Sequence, residues 1–181
     1  MTPRPATVEM ARVGYGRAMP EVDLEARVRG MFEEVFARHE PGAFADYAEP
    51  DFVMRIAGLS EPLNGPEGFI SWATEYQRAF PDMVVTIERV VVDGSDVFLK
   101  WHSVQTHLGE YRNMKPTGRQ ASIEALELLR FRGDRVAEGW LMFDPLRVMQ
   151  QLGVLPDGVP PRPVVGLLKL LTRLSRLAPS K

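Results

Sequence analysis

The sequence predicts an α+β domain in which early helices cover one face of a curled antiparallel sheet. Three observations carry this. Within the domain, the long helical stripes fall in the first eighty residues. Long segments of alternating polarity then follow one another across residues 83–92, 96–107, 120–131 and 135–143. Asp93-Gly94 and Gly133-Asp134 are tight-turn signals between neighbouring segments, so those pairs are hairpins. Helices first and consecutive strands afterwards belong to the α+β class, and strands of ten or so residues twist and curl. A curled sheet with helices on its concave face encloses a pocket.

The elements are read in order. Residues 1–20 form an arm without clear periodicity. In residues 21–38, Leu24, Val28, Met31, Phe32, Val35 and Phe36 make the apolar stripe of a helix, which Pro41-Gly42 ends. Residues 43–47 suit a short helix and 51–57 a strand. Asn64-Gly65-Pro66-Glu67 opens a second helix, with Asn as cap and Pro in the first turn. It should run to about Phe80 and bury Phe69, Trp72, Ala73 and Tyr76. The connection 108–119, LGEYRNMKPTGR, is rich in turn residues. The domain should span 21–155; four prolines make 156–163 an extended linker, and 164–181 carries a basic amphipathic helix. That helix is expected to pack on its own subunit or a dimer mate rather than on a membrane, because its stripe is short and holds few charges.

Bulk composition excludes several classes. The 181 residues suffice for one domain with a core. A 45% hydrophobic, 25% charged composition argues against disorder, and a net charge of −2 offers no basic field for nucleic acid. There is no cysteine, hence no disulfide, thiolate metal site or cysteine nucleophile. With three histidines, no HExxH and no phosphate-binding glycine loop, neither metal nor cofactor is expected. The first ten residues lack a signal-peptide core, and no apolar run reaches the ~18 residues of a membrane span. A cytoplasmic protein is expected.

The chemistry concentrates in two strands. In VAEGWLMFDPLRVMQQLGVLP (136–156), a strand ends in Asp144 and turns into a helix. Alternation groups Trp140, Met142 and Asp144 on one face and Leu141 and Phe143 on the other. If the first set faces inward, Asp144 is a carboxyl against apolar groups, whose pKa rises until it can act as a general acid near neutrality. Equally, Asp144 followed by Pro145 is a helix cap followed by a first-turn proline, and the two roles are compatible. In KWHSVQTH (100–107), Trp101, Ser103, Gln105 and His107 share a face, which could line the concavity and approach Asp144; His102 lies opposite. Glu127 alternates with Ile123, Ala125, Leu129 and Phe131, so it can point inward, where an ion pair with Arg130 or Arg55 is the expected partner. Trp72 and Tyr76 lie one helical turn apart and either wall a pocket or pack the core.

These residues lie in segments that resemble the SnoaL-like polyketide cyclases, cone-shaped α+β barrels of the nuclear transport factor 2-like superfamily. The resemblance rests on AFADYAEPDFV (43–53), GPEGF (65–69), AFPDMVVTIE (79–88), THLGEY (106–111), PTGR (116–119), LRFRGDRVAEGW (129–140) and FDPLRVMQQLGVLP (143–156). It implies a cofactor-independent enzyme that closes a ring by intramolecular aldol condensation. Asp144 would match the general acid/base, and Gln105 and His107 the residues that hold and polarise the substrate. Trp140, Met142, Trp72, Tyr76, Trp101, Ser103, Arg55 and Glu127 are the expected pocket walls. Two positions depart from the pattern: Gly139 and Met142 stand where members often carry histidine, which makes the pocket more apolar. A hydrophobic small molecule is the expected substrate, and a homodimer through the outer sheet face the expected assembly. The alternatives are an epoxide hydrolase with Arg55 and Asp144 around a water, an isomerase or dehydratase in the same pocket, and a non-catalytic binding module with a filled cone.

Overall fold

The computed structural model describes residues 22–156. The expected N-terminal arm, most of the proline-rich linker and the C-terminal amphipathic helix therefore lie outside the described residues. Within them, α1 (Leu24–Phe32) starts under Asp23, whose carboxylate accepts the Ala26 N–H at 2.9 Å. It continues as a π-helical turn, Glu33–Ala37, where Gln77 donates to the Val35 carbonyl at 2.7 Å. That buried bond ties the end of the first helix to α2 (Gly65–Ala79). The widened turn keeps Val35 buried after Met31 and Phe32. Pro41 opens a 3-10 turn, Pro41–Asp46, rather than merely ending the helix before it.

The sheet has six strands, β1 (Ala48–Ile56), β2 (Leu63–Asn64), β3 (Val84–Asp93), β4 (Asp96–Thr106), β5 (Gln120–Arg132) and β6 (Arg135–Met142), in the order β2-β1-β6-β5-β4-β3. The curved sheet with helices packed on it is α+β, as expected. One pairing differs from an all-antiparallel sheet: β1 runs parallel to β6. Because β1 lies between α1 and α2 and β6 ends the chain of hairpins, no local turn joins them, and the alternation pattern carries no direction. Gly94 and Gly133 take positive φ, 59° and 66°, at the first position of the two tight hairpins, which L side chains adopt reluctantly.

The long connection after β4 is anchored at both ends. His107 N–H donates to the Arg119 carbonyl and Gly118 N–H to the His107 carbonyl, both at 3.0 Å. Leu108 and Gly109 both donate to the Ala79 carbonyl at 2.9 Å, satisfying the end of α2. A Cβ on Gly109 would meet the Arg78 carbonyl oxygen at 2.2 Å, so this close approach requires glycine. Finally α3 (Pro145–Gln151) lies on the part of β5 that β6 does not reach. There Gln151 accepts the Ser122 N–H and donates to the Ser122 carbonyl, both at 2.9 Å, and so substitutes for a strand.

Candidate active site

The inward faces of the sheet and the apolar faces of α1 and α2 enclose a narrow chamber of about 50 Å³. Phe32 and Phe36 contribute from the first helix and its π turn, Trp72 and Tyr76 from α2, Trp101 and Ser103 from β4, and Ile123 and Glu127 from β5. Met54, Leu141 and Phe143 complete the side nearest β1 and β6. A second, wider space of about 320 Å³ shares Trp72, Tyr76, Ile123 and Phe143 with the first and opens past Tyr111, Arg112 and Met149. Chamber and vestibule thus meet at a collar of three rings and an isoleucine. Trp72 stacks on Tyr76 with centroids 5.5 Å apart, which sets the wall's shape.

Glu127 is the carboxylate of this chamber. It is 8% exposed and accepts a 2.8 Å hydrogen bond from the Trp101 indole N–H. The pairing follows from register: Trp101 lies opposite Ala125, so Glu127 is its diagonal neighbour on the same inward face. Burial among apolar side chains raises the Glu127 pKa to about 7, against a smaller lowering by the indole bond. The expected ion pair is therefore replaced by a neutral donor. Arg130 bonds Asp96 at 2.9 Å, and the Arg55 guanidinium stands 5.5 Å from the Trp140 ring.

Further along the inward face of β4 runs a polar chain. Ser103 Oγ donates to Gln105 Oε1 at 3.1 Å, and Gln105 Nε2 donates to the Tyr76 hydroxyl at 2.5 Å. Burial pushes the Tyr76 hydroxyl well above the ordinary phenol range, so it remains protonated. Gln105 itself is buried and stands behind the wall, touching the chamber through Tyr76 and Ser103. His107 is fully buried, stacked on Phe80 at 5.2 Å. Its Nδ1 accepts the Thr117 N–H at 3.3 Å, which leaves the ring proton on Nε2. Burial holds its pKa below the usual histidine value, so it is neutral and anchors the loop.

The structure corrects the expected inward set of β6. Leu141 and Phe143 line the chamber, whereas Met142 and Asp144 are exposed and Trp140 lies on the outer face between Arg55 and Arg130. Asp144 caps α3, accepting the Arg147 N–H at 3.0 Å, and borders a separate polar cleft with Ser122, Glu124 and Arg147. Gln105, His107 and Asp144 are consequently not gathered in one pocket. Alternation had the two sets right and the inward set reversed. Trp140 is large and aromatic, yet its half-exposed ring is covered by two guanidiniums rather than by the core. Gly139, small and uninformative in sequence, faces in, and a Cβ there would meet Met54 Sδ at 2.3 Å. Met54 thus fills the space beside Gly139. Trp72, Tyr76, Trp101, Ser103 and Glu127 line the chamber, whereas Arg55, Trp140 and Met142 lie outside it. Arg55, beside Trp140 on the outer face, does not line the chamber. The narrow chamber joins the wider vestibule rather than standing alone. Among the described residues no group of three or more His, Asp or Glu side chains is placed to hold a metal ion, and no helix is long and apolar enough to cross a membrane.

Such a curved sheet closed by helices around an apolar chamber is the architecture of the nuclear transport factor 2-like and ketosteroid isomerase-like proteins. An NTF2-like protein of Burkholderia pseudomallei shares it, with a TM-score of 0.62 at 16% identity, over 73% of this chain and 98% of that one. Within that class, the chain belongs to the SnoaL-like polyketide cyclase family, whose model matches residues 26–152. A candidate SnoaL-like polyketide cyclase of Jannaschia sp. CCS1 superposes with a TM-score of 0.69 at 21% identity, covering 79% of this chain and all of that one. IdmH of Streptomyces antibioticus, a candidate polyketide cyclase, does so with a TM-score of 0.64 at 26% identity, over 73% and 99%. No curated protein matches the chain.

Proposed function

We propose that this protein is a cofactor-independent cyclase for a hydrophobic, polyketide-like substrate, with Glu127 rather than Asp144 as the general base and acid. The observation that carries this is a carboxyl group inside an apolar chamber, held by one indole N–H, with a pKa of about 7. Such a group exists in both protonation states near neutrality, which suits a reaction needing a base first and an acid next. A carbon between two carbonyls loses a proton to the Glu127 carboxylate. The resulting enolate attacks a second carbonyl of the same chain, forming the carbon–carbon bond. Glu127, now protonated, returns the proton to the alkoxide, so no external acid or base is consumed. The aromatic collar contributes by holding the flexible chain folded, turning a rare encounter into a persistent one. An isomerase or dehydratase would use the same carboxylate.

The base step is testable without the natural substrate. Benzoylacetone carries an activated methylene on an aromatic 1,3-diketone, and hydrogen–deuterium exchange at that carbon reports its deprotonation. The protein should accelerate exchange, Glu127→Gln should abolish the acceleration, and Asp144→Asn should retain it. Acceleration lost in Asp144→Asn and kept in Glu127→Gln would return the role to the α3 cap.

The expected homodimer has its surface on the outer sheet face, where Leu126 and Met142 are 63% and 60% exposed beside Phe98 and Val91. Charges of both signs at its rim, the Lys100–Glu88 pair among them, suit a second copy of the same face. Sedimentation of wild type and Leu126→Glu tests it: a dimer that becomes a monomer is the expected result.

A further inference from the structure

The Ser103–Gln105–Tyr76 chain does more than brace the wall. Gln105 has its oxygen occupied by the Ser103 hydroxyl, so its amide N–H is the group turned toward Tyr76. The Tyr76 oxygen is therefore an acceptor in that bond, and its own proton is left for another partner. No protein acceptor takes that proton among the described residues. The ring borders both the chamber and the vestibule, and Ser103, at the head of the chain, lines the chamber opposite Ile123.

We infer that the Tyr76 hydroxyl donates a hydrogen bond to a carbonyl oxygen of the bound substrate, with Gln105 as the positioning residue that fixes the direction of that proton. This rests on the reading of the chamber as the acid/base site, and it narrows the substrate class. The ligand must present a neutral ketone or ester carbonyl at the collar, with its activated carbon beyond, toward Glu127. As a proton leaves that carbon, negative charge develops on the carbonyl oxygen that accepts from the Tyr76 O–H. A donor fixed before the reaction stabilises that charge without reorganising. Burial keeps Tyr76 protonated throughout, so it holds the oxyanion without giving up its proton.

The test uses carbonyl-labelled 2-acetonaphthone, an aromatic ketone, and isotope-edited infrared difference spectroscopy at about pH 9, where Glu127 is ionised and cannot donate. In the wild-type protein the carbonyl stretch should fall below its value in an apolar solvent. In Tyr76→Phe it should return toward that value, and Gln105→Met should give a broadened band between the two. Glu127→Gln should leave the shift in place, and thermal melts establish that each variant is folded. Equal frequencies in wild type and Tyr76→Phe, a shift lost in Glu127→Gln, or no bound ketone in any folded variant would each overturn the inference. The two readings fail separately: exchange lost in Glu127→Gln with no infrared shift leaves the base and removes the Tyr76 role, whereas a Tyr76-dependent shift with exchange intact in Glu127→Gln does the reverse. In the benzoylacetone exchange, Tyr76→Phe should lower the rate by about 10²-fold, the usual loss for one oxyanion donor.

Discussion

Glu127 and Asp144 are both carboxylates at the β5–β6 side of the domain, and their surroundings could hardly differ more. Glu127 faces the concave side, buried among rings, with one indole N–H for company. Asp144 stands on the rim, exposed, with a backbone N–H to cap and a polar cleft beside it. The first is expensive to ionise because apolar neighbours cannot replace its hydration. The second is in a place where a charge is welcome, at the positive end of a helix. The difference teaches that the desolvation of a carboxyl here is set by the face of the sheet on which it lies.

The comparison is broken most directly by activity. Glu127→Gln should lower turnover of a cyclisation substrate by about 10²–10⁴-fold, while Asp144→Asn should stay within a few-fold of wild type. Steady-state kinetics on both variants decides it. The same contrast should appear in pH. If the Glu127 carboxylate is the base, kcat/KM rises as pH passes through about 7, and the inflection disappears in any residual activity of Glu127→Gln.

Stability sharpens the contrast next. The folded-state pKa of Glu127 is raised from 4.5 to about 7, so the folded protein binds this proton more tightly than the unfolded chain. Stability from this group is complete below about pH 4.5 and is lost as pH rises through 7, a fall of about 3 kcal/mol. Glu127→Gln, neutral at every pH, should therefore flatten the decline in Tm between pH 5 and 8 in calorimetry. The smallest effect belongs to the cap: Asp144→Ala should cost about 1 kcal/mol in denaturant unfolding at pH 7, with activity unchanged.

Much of this arrangement was legible in the amino-acid order. The stripe of Leu24, Val28, Met31 and Phe32, the run from Gly65 toward Phe80, the four alternating segments and the two glycine hairpins appear where expected, because each depends on neighbours a few residues away. The shared inward face of Trp101, Ser103, Gln105 and His107 was legible for the same reason. The cap role of Asp144 was too, since Asp followed by Pro is a local signal.

What the sequence alone could not decide was which face of β6 turns inward, that β1 lies parallel to it, and which carboxylate the chamber encloses. Period-two alternation sorts side chains into two sets with no label for the core, so Trp140 reads as an inward residue as readily as Leu141. The label comes from partners far along the chain. Met54 takes the space beside Gly139, Arg55 and Arg130 cover Trp140 from outside, and the β4–β5 register sets Trp101 diagonal to Glu127. Local order determined the elements and the residues that share a face. Long-range packing decided which face is dry, and the desolvation that comes with dryness separates the chemistry of Glu127 from that of Asp144.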